Sequence, residues 1–273
     1  MARHISGSVR DRLESRTVCV LFSKPPWLPH FQKDISMKNH ISTLVITLVF
    51  FLGMGVLLYP ALSGTWNRHT QSRAIVDYST ALYELTEEDD SACFQAAEDY
   101  NAAICRIEKP FLNCEQVPGY AELLNIGGRG IMGYVTVEKI GVELPIYHGT
   151  SQAVLSVAAG HVQGSSLPTG GSGTHCVICA HSGLPGASLF TGLDRLELGD
   201  TFTLTVLSRV LRYQVDQIRI VEPRDTGELT VIPGEDHCTL MTCTPYGINS
   251  HRLLVRGTRV SEDAETKAES EPQ

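Results

Sequence analysis

The apolar positions divide the chain into three textures. Residues 41–66 are mostly Leu, Val, Ile and Phe without a single charge, and a helix needs about 20 such residues to cross a bilayer. A secretory signal has a shorter apolar core, so a retained anchor is expected over residues 41–62, although Ala61-Leu62-Ser63 offers small residues to a signal peptidase. From residue 74 to 105 the period becomes helical. Ile75, Leu82 and Leu85 recur, and then Cys93, Ala97, Tyr100 and Ile104 follow at spacings of four, three and four. This predicts one or two helices, with Glu87-Glu88-Asp89-Asp90-Ser91 as a solvated break or as the start of the second. Lys109-Pro110-Phe111 and Val117-Pro118-Gly119 then stop helical structure.

Beyond Gly127-Gly128-Arg129-Gly130 the pattern changes to short β-type runs: 132–137, 143–147, 175–179, 201–206, 211–221 and 252–260. In Thr201-Phe202-Thr203-Leu204-Thr205-Val206 the alternation is strict, as expected of a strand with one buried and one wet face. Many short strands between Gly and Pro turns predict a closed barrel or a sandwich. Residues 187–196 carry a helical pattern that should cross outside it. Residues 261–273 are acidic and nearly without apolar side chains, which predicts a disordered tail. The organisation expected is a 1–40 cytoplasmic segment, the 41–62 anchor, a 67–130 helical segment, a 131–260 β domain and the tail. Met37-Lys38-Asn39-His40 reads like a start just ahead of the anchor, so Met37 is a candidate first residue.

Charge narrows the partners. Seven basic and three acidic residues precede the span, leaving fifteen basic against twenty-seven acidic after it. A domain so acidic is a poor match for nucleic acid. Lys24, Lys33 and Lys38 before the span, against Arg68 and Arg73 after it, bias the chain toward a cytoplasmic N-terminus. Seven of the eight cysteines, all but Cys19, are then exported, where disulfides are permitted. Cys93, Cys105 and Cys114 admit one bridge among them or three free thiols, and their spacing does not choose.

The candidate chemistry lies near the C-terminus, in Thr239-Leu240-Met241-Thr242-Cys243-Thr244-Pro245-Tyr246-Gly247-Ile248-Asn249-Ser250-His251-Arg252. Cys243 ends one strand, Pro245 and Gly247 turn the chain, and Arg252 opens the returning strand, where opposed side chains lie about 5 Å apart. A guanidinium there favours the thiolate, or donates to the oxyanion formed when the thiolate attacks a carbonyl. A cysteine nucleophile also needs an acid for the leaving amine and a base for the incoming one, for which histidine is the usual choice. The histidines beyond the anchor are His69, His148, His161, His175, His181, His237 and His251. His181 is the best placed, since it follows an apolar strand directly and precedes the Ser182-Gly183-Leu184-Pro185-Gly186 loop. Cys176-Val177-Ile178-Cys179 has a metal-like spacing, but residues three apart on a strand face opposite ways, so a core strand is preferred. Arg256 reads as an ordinary edge-strand charge.

These segments resemble the class C, pilin-polymerising sortases. The resemblance is carried by Thr239 to Gly247, by Asn249 to Arg252, and by Ala180-His181-Ser182-Gly183-Leu184-Pro185 with Leu189-Phe190-Thr191. Gly133-Tyr134, Ile140-Gly141-Val142, Leu144-Pro145-Ile146-Tyr147-His148-Gly149-Thr150 and Gly164-Ser165-Ser166-Leu167-Pro168 also fit, so it covers nearly all of residues 100–258. It implies a mainly β fold, an eight-stranded sortase-type β-barrel with short helices, preceded by a helical segment and a transmembrane helix. It implies that Cys243, His181 and Arg252 meet in a groove that accepts a Leu-Pro-x-Thr-Gly sorting signal. A thioacyl enzyme would form on Cys243 and be resolved by a pilin lysine amine, with no cofactor and no metal. Lys109-Pro110-Phe111 stands where such enzymes carry an Asp-Pro-aromatic lid; lysine replaces the aspartate, and Glu108 is the substitute acid to consider. The resemblance also implies a membrane protein with its catalytic domain outside a Gram-positive cell, here with a single anchor. The alternatives are a sortase that uses the cell-wall precursor as acceptor and a catalytically silent pilus-assembly module.

Overall fold

A computed structural model describes residues 28–184 and 186–260, with side chains from His40 onward. The first 27 residues of the expected cytoplasmic segment, the acidic tail 261–273 and Pro185 lie outside the described residues. The chain falls into two units, residues 1–55 and 56–273, and the second holds all the strands of the described residues.

The first helix, α1, spans Leu28–Tyr83 and includes Pro60. Its part from His40 to Leu82 is long and apolar enough to cross a membrane, and none of its apolar window is buried. The helix does not end with the apolar run. It continues through the polar residues 63–73, whose side chains Asn67 and Gln71 donate to Gly186 O and Val157 O at 2.9 and 2.7 Å. Near its end Tyr78 is buried, its hydroxyl donating to Met132 O at 2.9 Å and accepting from Leu207 N at 2.8 Å. Burial also pushes the Tyr78 phenol up to about 12.

The acidic run starts the second helix. Thr86 caps α2, Glu87–Ile104, in a reciprocal capping box with Asp89, and the four acids of its first turn suit the positive end of the helix dipole. Phe94, Ala97, Tyr100, Asn101 and Ile104 bury one stripe on the second unit's core. Asn101 ties that stripe down through Leu167 N at 2.6 Å, Leu167 O at 3.2 Å and Thr169 Oγ1 at 2.9 Å. A single helical turn, α3, follows at Pro110–Asn113.

Eight strands close into a barrel in the order β1-β2-β3-β4-β7-β8-β6-β5. They are β1 Ile131–Val137, β2 Val142–His148, β3 Ala159–His161, β4 Thr174–Cys179, β5 Thr201–Val206, β6 Arg209–Val221, β7 Asp236–Thr244 and β8 His251–Arg259. β2–β3 and β4–β7 are parallel, and the other pairs are antiparallel. Alternation sends Ile178, Leu240, Phe202, Leu204 and Val255 inward, all essentially fully buried. This is the eight-stranded barrel expected.

Three local expectations are corrected. Residues 187–196 form turns and one short 3₁₀ segment, Leu193–Arg195, instead of a helix. Their apolar side chains Leu189, Phe190, Leu193 and Leu196 are buried through loops that reverse at Gly192. The three-residue strand β3 escaped the pattern, because a strand that short carries no readable alternation. Arg256 is no edge charge, since a closed barrel has no edge; its Nε donates to Asp216 at 3.2 Å. Cys176 and Cys179 do face opposite ways. Cys176 lies in the core beside Cys238, its register partner, whereas Cys179 points out toward the groove. Among the described residues Cys93, Cys105 and Cys114 are free thiols.

Candidate active site

The outer face of β4, β7, β8 and β6 forms the floor of a groove at one end of the barrel. The register fixes which side chains share it. Val177 and Cys179 on β4, Thr239, Met241 and Cys243 on β7, and Arg252 and Leu254 on β8 all alternate with core residues and therefore point the same way. Val177, Leu229 and Leu254 form a small apolar cluster on this floor, and Val162, Val221, Met241 and Phe111 pack on it.

Cys243 and Arg252 are direct cross-strand partners in β7 and β8. The turn between them, residues 245–250, begins with a cis Thr244–Pro245 bond and is closed by Ile248 N and Asn249 N donating to Pro245 O at 3.0 and 2.9 Å. This turn sets the register that opposes thiol and guanidinium. Arg252 Nη1 donates to His251 O at 3.0 Å and Asn249 O at 3.3 Å, which holds the guanidinium against its own turn.

His181 reaches the same end of the barrel from β4. Ala180 N donates to Met241 O at 3.2 Å, and Thr242 Oγ1 donates to Ala180 O at 2.8 Å, so the next residue, His181, falls level with Cys243. Phe190 N donates to His181 O at 3.0 Å, and Gly183 N donates to Thr191 Oγ1 at 3.0 Å, fixing the loop behind it. His181 Nε2 is buried and has no hydrogen-bond partner among the described residues. Most of its rivals are occupied; His237, whose ring nitrogens also lack a hydrogen-bond partner among the described residues, lies at the start of β7, at the far end of that strand from Cys243. His161 is bound to Tyr120, Ser165 and Ser166 O, His148 to Gly130 O and Leu123 O, and His175 to Thr230 O and Thr239. His251 sits beside Ser250 and Glu222, and His237 beside Glu235.

Sequence reasoning weighed Cys179 only as a metal-spaced cysteine or part of a core strand, not as a groove residue. It shares the groove face, and burial pushes its thiol up to about 12, with Cys243 acting the same way and Arg252 against it. A thiol held so firmly protonated is a poor nucleophile, and Cys243 on the same face is half-buried.

Two cavities flank the pair. One of about 200 Å³ opens onto Cys243 and is lined by Ser182, Thr191, Asp194 and Tyr246. The other, about 350 Å³, holds Arg252 with Phe111, Val162, Asp225 and Met241. Phe111 also borders a third, about 490 Å³, that runs along residues 226–231 and contains no catalytic candidate. The Lys109-Pro110-Phe111 segment is seated by Gly164, where an added Cβ would come within 2.8 Å of Phe111 Cα and Pro110 O. Lys109 and Glu108 are exposed, and among the described residues neither makes an ion pair with Arg252.

The fold has counterparts among known proteins. Residues 135–260 match the sortase domain model. Sortase C1 from Streptococcus agalactiae superposes with a TM-score of 0.64 at 43% identity, covering 70% of this chain and 100% of that one. Sortase C from Streptococcus pneumoniae gives 0.63 at 43% identity, over 69% and 97% of the two chains. Among curated relatives, sortase A of Streptococcus agalactiae serotype III (strain NEM316) is 30% identical over 42% of this chain and 47% of its own length. Sortase D of Bacillus subtilis (strain 168) is 28% identical over 47% and 64%. The chain thus spans about half to two thirds of these two curated relatives. With a barrel, a groove and a near-complete match to solved sortases in agreement, the chain belongs to the sortase family, and its structural likeness lies with the class C sortases.

Proposed function

We propose that the chain is a cysteine transpeptidase that joins pilin subunits. The observation that carries this is the Cys243–Arg252 register pair, with His181 level with it and its Nε2 unclaimed. Cys243 Sγ attacks the threonine carbonyl of a Leu-Pro-x-Thr-Gly signal, and Arg252 donates to the oxyanion. The Thr–Gly bond breaks, His181 protonates the departing glycine amine, and a thioester remains on Cys243. A lysine amine of the next pilin subunit, deprotonated by His181, then displaces the thiolate and forms an isopeptide bond. The thioester retains the acyl-transfer potential, so the chain's own side chains complete both halves. A likeness to the Streptococcus pneumoniae structure, described in terms of pilin substrate specificity, and to a pilus-related sortase C of group B Streptococcus favours pilin as partner.

Phe111 serves as a lid in this scheme. It rests on the apolar floor beside Arg252 and must leave for an extended peptide to lie there. Its hold is apolar packing and the tight seat at Gly164 instead of an ion pair through Lys109. The catalytic domain would work on the outer side of the membrane, where sorting signals are displayed. Incubating the protein with a sorting-signal peptide and either a pilin domain or a wall-type amine tests the assignment. Isopeptide-linked product with the pilin domain is expected; exclusive use of the wall-type amine would make the chain a wall-anchoring sortase, and no product with either would leave a silent assembly module.

A further inference from the structure

The direction in which α1 passes along the barrel says which end of the barrel meets the lipid. Tyr78 is bonded to Met132 and Leu207, where β1 starts and the β5–β6 turn lies. Toward lower residue numbers the helix reaches Val157 through Gln71 and then Gly186 through Asn67. Gly186 belongs to the loop that carries His181. It is packed so closely that a side chain there would run into Ser63, and its carbonyl lies 3.5 Å from where a Cβ of Gly64 would be. From Tyr78 to Ser63 the helix rises about 22 Å, from the end opposite the groove to the groove end itself. Directly beyond, residues 56–62 read Val-Leu-Leu-Tyr-Pro-Ala-Leu and are exposed, as is Trp66. The change from apolar to polar at Leu62-Ser63, with Tyr59 and Trp66 on either side, marks where such a helix leaves lipid.

The same end of the barrel carries two large exposed apolar side chains, Tyr246 and Ile248, at 69% and 72% exposure on the β7–β8 turn. The Tyr246 ring lies over Gly183, three residues from Gly186, so the turn, the His181 loop and the membrane end of α1 form one continuous surface. We propose that this surface docks on the bilayer that α1 enters, with Tyr246 and Ile248 in the interfacial layer and the Cys243 groove opening beside the lipid. Interfacial side chains of this kind sit about 5–10 Å into the headgroup and acyl boundary. A site placed there meets reactants held in the same bilayer and is turned away from those in bulk water. The proposal rests on reading α1 as a membrane helix, and the experiment separates the two.

The full chain is reconstituted in vesicles containing lipids brominated near the glycerol end of their acyl chains, which quench nearby tryptophan. With Trp27→Phe alone, the native Trp66 reports whether the helix is inserted. With Trp27→Phe and Trp66→Phe, a single tryptophan is introduced by Ile248→Trp or Tyr246→Trp at the proposed contact, or by Val210→Trp on the exposed β5–β6 hairpin at the opposite end. The expected result is loss of most emission at positions 66, 248 and 246, with emission kept at 210. Unquenched Trp66 would overturn the membrane reading and the docking with it. Quenched Trp66 with 246 and 248 as bright as 210 would overturn the docking alone. A blue-shifted, unquenched signal at 248 would also overturn it, by showing that a second protein surface covers the turn.

Discussion

At the scale of single residues, the proposed chemistry rests on the register of one hairpin. Cys243 and Arg252 are opposed because the turn between them fixes which residues pair, and no neighbouring residue on β8 can stand in: Leu253 points into the core, while Leu254 belongs to the groove's apolar floor. Arg252 is expected to act mainly on the step in which charge develops. Arg252→Ala should lower kcat for peptide cleavage by about 10²-fold or more, the usual effect of removing an oxyanion donor. Arg252→Lys, which keeps the charge but loses the planar fork, should recover only part of it. A kcat within a few-fold of wild type for Arg252→Ala would remove Arg252 from the mechanism. The Cys–Arg pair was legible from the sequence because Pro245 and Gly247 announce the turn and so the register. His181 was less so. Seven histidines follow the anchor, and what separates them is which ones fold against partners distant in sequence, such as Tyr120 for His161 and Thr230 for His175.

At the scale of elements, the proposed lid is the clearest case of a segment held by shape. Phe111 packs on an apolar patch assembled from β4, β8 and residue Leu229, and the close approach of Gly164 sets its height. Phe111→Ala should therefore speed alkylation of Cys243 and hydrolysis of a model peptide without large loss of fold. Gly164→Ala should do the same from the other side, because its Cβ would displace Pro110 and Phe111. If both variants left thiol labelling and hydrolysis unchanged, Phe111 would not be a lid. Element type was readable where side chains alternate against one core, as in Thr201–Val206, or recur along one helix face, as in Glu87–Ile104. It was unreadable in residues 187–196, where an irregular loop buries Leu189, Phe190, Leu193 and Leu196 at spacings that imitate a helix. The continuation of α1 past Leu62 was equally hidden, since its polar residues are spent on carbonyls distant in sequence.

At the scale of the whole molecule, the barrel carries a buried histidine that ties its stability to pH. His175 sits on β4 with Nδ1 donating to Thr230 O at 3.0 Å, so its Nε2, 2.7 Å from Thr239 Oγ1, accepts that hydroxyl and the ring is neutral. Burial holds its pKa down at about 4, from 6.5, with His237 and Arg256 acting the same way and Thr230 O and Asp216 opposing. As pH falls below 6.5 the unfolded chain takes up a proton that the folded chain refuses until about 4. Stability is thus whole above pH 6.5 and is lost through that window, by about 3 kcal/mol at most. Thermal melts of His175→Gln between pH 4 and 7 should show a flatter slope than wild type; an unchanged slope would place the sensitivity elsewhere.

The central claim is that Cys243 takes the acyl group of a sorting signal. Intact-mass and peptide mapping of the full chain after mixing with a Leu-Pro-x-Thr-Gly peptide, quenched before resolution, tests it most directly. The account predicts a thioester on Cys243 carrying the peptide up to its threonine, labile to hydroxylamine and absent from Cys243→Ala. Acylation at any other residue, or peptide cleavage that survives Cys243→Ala, would contradict it.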